Sequence, residues 1–499
     1  MIGLAGPDLR DEEVTLFRET RAAGVILYRR NFETPERLAR LLDGLEGALG
    51  RRLLVATDHE GGRIIMLGAG TTVFPDNLAV GTAGEEAFAH REGLVEGREL
   101  RRLGIDLNLG PCLDVLTERY SPNIGIRSYG KDPAIVSSYG AARIKGMQRA
   151  GLSVCPKHFP GKGHSPLDAH LKLPTIDSTW DDMHARHLPP FFAAIAEGAE
   201  CIMTSHPVYP NLDPSGVPAT FSRLIVEDYL RGTVGYKGVI VSDDLEMGAV
   251  SETTTIGDAT VRTAAAGHDL LLVCHTEPAQ RAATAALLEA YRSGARPRRE
   301  LEAAAERVRA LRERRTARRD PGAPVPEVDG AALAKAAATR AVTLVTPPQP
   351  GFVKKLNGRV AAIFPRFSDL AARIFIEPAV RDETGFLRDT FAPVGIAPEA
   401  VVVGMEPSAE EIERAAATAG SADATVLFLY DAHLYASNRA LLDAVQKRAR
   451  ALAVVLLRDP YDAALLAPGV LGITAFGWRA CQIEAVVARL AYMGGSGRT

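Results

Sequence analysis

Short apolar runs rich in valine, isoleucine and leucine recur along the first part of the chain, with helical stretches between them. Eight of these runs read as strands: residues 2–5, 25–28, 53–57, 105–109, 153–157, 201–205, 238–242 and 270–274. Eight strand-helix units within roughly the first 315 residues predict a (β/α)8 TIM-like barrel, whose functional groups sit just past the C-terminal ends of the strands. The polar residues follow that rule. Asp58 follows the third run, Asp114 lies just beyond the fourth, His158 follows the fifth, His206 the sixth and Asp243 the seventh. One polar strand end is explained by solvent alone; five ends carrying Asp or His point to a working face.

A charged, alanine-rich helix over about 298–319 closes this pattern, and Pro321-Gly322-Ala323-Pro324-Val325-Pro326 follows it. Proline at that density cannot continue a helix and reads as an extended linker. The predicted organisation is a catalytic barrel over 1–318, a linker over 319–330 and a smaller C-terminal α/β sandwich domain over 331–499. In the last part, apolar runs at 342–345, 360–364, 401–403, 426–429 and 453–457 alternate with alanine-rich helices, as in a sheet covered on both faces. None of those helices opens on a phosphate-binding glycine fingerprint, so nothing signals a nucleotide.

Composition narrows the function classes. The 499 residues carry 58 Lys and Arg against 61 Asp and Glu, a net charge of -3, which provides no global positive field for nucleic acid. Apolar residues at 46% and charged residues at 24% suit a soluble globular protein. Five cysteines, Cys112, Cys155, Cys201, Cys274 and Cys481, are odd in number and lack paired metal-ligand spacing, so they read as reduced core thiols. The N-terminus has neither the basic flank nor the apolar length of a signal peptide, and no later segment reaches about 18 uninterrupted apolar residues. No membrane span and a cytoplasmic location are expected; monomer and homodimer both stay open.

The densest chemistry lies in Lys157-His158-Phe159-Pro160-Gly161-Lys162-Gly163-His164, followed by Asp168-Ala169-His170. Side chains two apart on an extended segment point the same way, so Asp168 can accept a hydrogen bond from His170 and make its imidazole an acid and base near neutral pH. The plainer reading is a surface loop in which Asp168 caps a turn. A metal site built from His158, His164, Asp168 and His170 is the other alternative; its spacing matches no common zinc pattern, and Lys157 and Lys162 would repel the ion. Asp243 and Asp244 end the run 238–241 and open Leu245-Glu246-Met247. Helix capping accounts for one such carboxylate, and the other can face the pocket and attack an electrophilic sugar carbon. Asp243, nearer the strand, is the candidate nucleophile.

The run 157–161, the Asp168-x-His170 pair and Ser242-Asp243-Asp244-Leu245 resemble glycoside hydrolase family 3, in its β-N-acetylglucosaminidase (NagZ-like) branch. Thr57-Asp58-His59-Glu60-Gly61-Gly62-Arg63, the stretch Asn108 to Val115 and Asn123-Ile124-Gly125-Ile126-Arg127-Ser128-Tyr129-Gly130 resemble further motifs of that family in the same order, and the family includes two-domain members. The resemblance implies retaining, double-displacement hydrolysis. Asp243 would be the nucleophile, His170 the general acid and base with Asp168 as its partner, and Asp58, Arg127, Lys157 and His158 would hold the N-acetylglucosamine ring. It implies no metal and no organic cofactor. Four positions depart from the family pattern: His59 stands where Gln is common, Met66 where an arginine is common, Lys162 where His or Asn is usual, and Ala169 where Ser or Thr is usual. The expected function is an exo-β-N-acetylglucosaminidase acting on muropeptides or chitooligosaccharides. A phosphorolytic relative, which a histidine acid/base and the Lys162 charge would suit, and a non-catalytic sugar-binding barrel are the alternatives.

Overall fold

The computed structural model describes residues 1–118, 120–165, 173–316, 328–347 and 351–493. The chain divides into two compact units, the first formed by Met1–Glu60, Ile65–Thr72 and Glu86–Gly330, the second by Gly61–Ile64, Val73–Glu85 and Ala331–Thr499. Two short stretches of the N-terminal half thus belong to the second unit, a division that chain order alone does not suggest. Most of the expected linker, 319–327, lies outside the described residues.

The first unit is a (β/α)8 barrel. Its strands are β1 (Ile2–Gly3), β2 (Gly24–Leu27), β3 (Leu54–Thr57), β4 (Leu107–Asn108), β5 (Ser153–Val154), β6 (Cys201–Met203), β7 (Val239–Asp244) and β8 (Leu270–Leu272). β1 to β5 pair in sequence order, as do β6 to β8, and all named pairs are parallel. Parallel bridges from Phe159 to Thr204 and from Ile2 to Val273 join the two sheets and close the ring. Strands packed on both faces need continuous apolar runs, and Val25, Ile26, Leu27, Leu54, Val55 and Ala56 are accordingly all buried.

The outer helices follow from local chemistry. Over Pro35–Leu49, Thr34 Oγ1 accepts the Arg37 N–H, Pro35 fills the first position, and Gly50 ends the helix at φ 63°. Leu38, Leu41, Leu42 and Leu45 line its buried face, each contributing about 1.5–3 kcal/mol of burial. Helices Glu86–Arg102 and Pro133–Arg149 cross where a Cβ on Gly93 would lie 2.3 Å from Arg143 O and one on Gly146 2.2 Å from His90 O. That close crossing buries the Arg143 guanidinium between Glu92 (3.3 Å) and Glu96 (3.0 Å), and Arg143 Nη2 also donates to the Glu60 carbonyl at 2.7 Å. The helix layer thereby fixes the backbone that follows β3.

The second unit is an α/β sandwich. Its six strands, β9 (Thr343–Thr346), β10 (Val360–Pro365), β11 (Glu399–Val403), β12 (Ala424–Leu429), β13 (Leu452–Leu456) and β14 (Leu471–Thr474), pair in the order β9-β14-β13-β12-β10-β11. Only β9 runs antiparallel. The sequence pattern yields five of these strands. The sixth, β14, carries Gly472, where a Cβ would meet Leu466 and Val345 side chains at 2.6 Å, so tight packing replaces the apolar bulk that marks a strand. All five cysteines are free thiols. No helix among the described residues is long and apolar enough to cross a membrane.

Candidate active site

Four strand ends bring charge to one mouth of the barrel. Asp58 follows β3, Lys157 and His158 follow β5, His206 follows β6, and Asp243 is the next-to-last residue of β7. Arg127 arrives from the 3-10 turn Gly125–Arg127.

Glu60 joins these groups. Arg127 donates to it twice, Nε to Oε2 at 2.9 Å and Nη2 to Oε1 at 2.8 Å, in the fork geometry that suits a carboxylate. Lys157 Nζ lies 2.7 Å from Glu60 Oε1 and also pairs with Asp58. Two carboxylates therefore face two cations, and a buried charge network is tolerated when it balances in this way. Burial disfavours the charged form of Glu60, but Arg127 and Lys157 together outweigh it and hold that carboxyl well below the usual range. Lys157 is raised, because Asp58 and Glu60 overcome the opposing effect of burial. Asp58 is raised by burial, with Lys157 opposing.

Asp114 organises the loop after β5. Its Oδ2 accepts His158 Nδ1–H at 2.7 Å and the Cys112 thiol at 3.2 Å, while Oδ1 accepts the Lys162 backbone N–H at 2.7 Å. With Nδ1 turned to that carboxylate, the other ring nitrogen of His158, Nε2, lies 3.5 Å from Arg127 Nη2. Gly163 is required by close approach: a Cβ there would stand 1.9 Å from Val115 O. Lys162 is consequently drawn inward, 3% exposed, with Nζ 3.9 Å from Asp243 Oδ2.

Asp243 and Asp244 point to different partners, as neighbours on a strand must. Asp244 accepts from Cys274 N at 3.2 Å and pairs with His275 at 3.0 Å, tying β7 to the end of β8. Asp243 Oδ1 accepts the Asp244 N–H at 3.0 Å, and Oδ2 lies 3.9 Å from Lys162 Nζ. Burial would raise the Asp243 carboxyl, yet Lys162, His206, Lys157 and that backbone N–H outweigh it and hold it below its usual value. His206 is itself kept low by burial; its Nε2–H donates to the Asp244 carbonyl at 3.0 Å, and Thr220 Oγ1 lies 2.7 Å from Nδ1. Within this cluster the side chains of Asp58 and Asp243 are 20% and 15% exposed while Lys157, His158 and Arg127 are below 10%, so these two carboxylates are the groups an entering ligand meets first.

The structure brings Asp58, Arg127, Lys157 and His158 together. Asp168 and His170 lie outside the described residues, as does Ala169. Met66 packs against the barrel core. The expected set omits Glu60, which no local pattern singles out and which joins the site through Arg127 and Lys157. Cys112, Asp114 and His158 have donor atoms within 4.8 Å of one another, but the Asp114 oxygens already accept hydrogen bonds and Arg127 and Lys162 stand beside them, an unfavourable field for a cation. His164 turns instead to Thr117, 2.9 Å away.

Residues 3–311 match the model of the glycosyl hydrolase family 3 N terminal domain. The chain is 36% identical over 285 residues to a beta-hexosaminidase of Xylella fastidiosa, covering 56% of this chain and 83% of that protein. A beta-hexosaminidase of Stenotrophomonas maltophilia is 34% identical over 286 residues, with the same coverage. Among solved structures, a family 3 beta-N-acetylglucosaminidase from Paenibacillus sp. superposes with a TM-score of 0.91 at 31% identity, over 98% of this chain and 94% of that one. NagZ from Neisseria gonorrhoeae, in complex with N-trifluoroacetyl-D-glucosamine, matches 62% of this chain and 97% of its own at 31% identity and a TM-score of 0.52. The barrel, the charged cluster at its mouth and these likenesses agree: the chain belongs to glycoside hydrolase family 3 and is a glycoside hydrolase.

Proposed function

We propose that this protein is a retaining exo-β-N-acetylglucosaminidase that removes terminal N-acetylglucosamine from muropeptides or chitooligosaccharides in the cytoplasm. The observation that carries the reading is the Asp243 carboxylate at the C-terminal end of β7, 3.9 Å from Lys162 Nζ, on the same barrel face as the Asp58, Lys157, Glu60, Arg127 and His158 network. Likeness to a beta-N-acetylglucosaminidase over nearly the whole chain supports the choice of sugar. Asp58, Arg127, Lys157 and His158 hold the ring and its acetamido group. Asp243 attacks the anomeric carbon while His170, partnered by Asp168, protonates the departing oxygen; the same imidazole then takes a proton from water as the Asp243 ester is displaced.

Release of p-nitrophenol from the β-N-acetylglucosaminide and the β-glucoside tests this. The acetamido sugar is preferred, Asp243→Asn lowers its turnover by roughly 1,000-fold or more, and His170→Ala lowers it strongly. Equal turnover by Asp243→Asn, or preference for the glucoside, contradicts the reading. A phosphorolytic variant is favoured by one observation, the buried Lys162 cation beside Asp243. Acceleration by added phosphate, with release of the sugar 1-phosphate, would select it over hydrolysis.

A further inference from the structure

Lys162 is the departure from the family pattern that reaches the reacting carboxylate, and its surroundings are those of a charge kept for a purpose. A nearly buried lysine is costly unless compensated. Burial lowers the Lys162 pKa, and the group that opposes this most is Asp243, whose Oδ2 lies 3.9 Å from Nζ. That distance exceeds hydrogen-bond reach, so the ammonium attracts the carboxylate without donating to Oδ2. The loop is built to hold this arrangement: Asp114 Oδ1 takes the Lys162 backbone N–H at 2.7 Å, and the Gly163 approach to Val115 O leaves no room for another path. The other charged or titratable groups facing Lys162 are Asp114, Arg127, Cys112 and His206.

We infer that Lys162 is an electrostatic positioning residue for the second displacement, stabilising Asp243 as it is released from the glycosyl-enzyme. The inference rests on Asp243 being the nucleophile. In the first displacement the Asp243 carboxylate spends its negative charge to form the bond to the anomeric carbon, so a nearby ammonium does not assist that step. In the second, the bond between that carbon and the Asp243 oxygen breaks and its electron pair returns to the carboxylate. A water oxygen bonds to the carbon, and the water proton passes to the His170 imidazole. Negative charge then grows 3.9 Å from Nζ, inside a site from which solvent is largely excluded. Lys162 thus favours deglycosylation over glycosylation. A neutral residue at this position would lack that bias.

The test is transient and steady-state kinetics with 2,4-dinitrophenyl β-N-acetylglucosaminide, a substrate reactive enough to make deglycosylation limit turnover, on wild type, Lys162→Gln, Lys162→Met, Lys162→Arg and Asp243→Asn. Lys162→Gln should lower kcat by about 10- to 100-fold and KM alongside it, leaving kcat/KM within about threefold. It should also show a burst of dinitrophenol near one equivalent and a glycosyl adduct on the intact protein mass. Lys162→Arg should restore most of kcat. Lys162→Met, uncharged and of similar length, serves if the Gln variant does not fold. Equal losses in kcat and kcat/KM without an adduct, or an unchanged kcat, overturn the inference while wild-type turnover and an inactive Asp243→Asn leave the nucleophile assignment standing. Absence of turnover by wild type, or full activity in Asp243→Asn, fails the proposed function itself.

Discussion

Arg127 grips both oxygens of Glu60 with hydrogen bonds of 2.9 and 2.8 Å, and neither side chain is more than a tenth exposed. The pair sits between Asp58 and Lys157 and the ring of His158, so its geometry is passed to all three. Glu60→Ala leaves Arg127 and Lys157 buried without their shared counter-charge. The expected cost is about 3–5 kcal/mol of stability, read as a lower thermal midpoint of the barrel transition, with a raised KM for the N-acetylglucosaminide. Glu60→Gln should show a smaller loss in both.

Asp114 touches His158 and Lys162 through different oxygens. Asp114→Asn can accept only through its single amide oxygen, so one of the two is released. A fall in kcat/KM of about 10-fold or more is expected with circular dichroism unchanged. Unchanged kinetics would show that the loop holds its shape without the clamp.

Neighbouring carboxylates should behave unlike each other. Asp244 serves the β7 to β8 junction through Cys274 N and His275. Asp244→Asn should lose stability by about 1–3 kcal/mol and keep activity within about tenfold, whereas Asp243→Asn should lose activity by roughly 1,000-fold or more. Thermal melts and initial rates on the two variants separate these outcomes.

Acid should weaken the fold through buried imidazoles. His268 bridges Thr204 Oγ1 at 2.8 Å and Thr263 O at 3.0 Å, and burial lowers its pKa to about 3; burial and the neighbouring His164 lower His187 to about 4. Below the ordinary histidine value of about 6.5, the unfolded chain binds protons that these folded sites refuse. Stability is therefore full above that value and falls with pH by about 1.4 kcal/mol per unit per site, until each folded pKa is reached. Urea midpoints at pH 7 and pH 4.5 should differ, and His268→Gln should reduce the difference.

The barrel strands were legible in the sequence because runs packed on both faces must be continuously apolar, and their C-terminal ends identified Asp58, His158, His206 and Asp243 as one face. β14 was not legible, since Gly472 breaks its run. Nor was Glu60, because its importance comes from Arg127, 67 positions away, and no local pattern announces an ion pair of that separation. Lys162 was visible as a departure, but its nearness to Asp243 depends on the Asp114 clamp across the loop.

The central claim is that Asp243 forms a bond to the sugar. The most direct measurement is labelling with a fluorinated N-acetylglucosaminyl fluoride that stalls the glycosyl-enzyme, followed by peptide mapping. The account predicts one label per chain, on the peptide containing Asp243, and none in Asp243→Asn. A label on a different residue, or no label on protein that still turns over the p-nitrophenyl sugar, would contradict it.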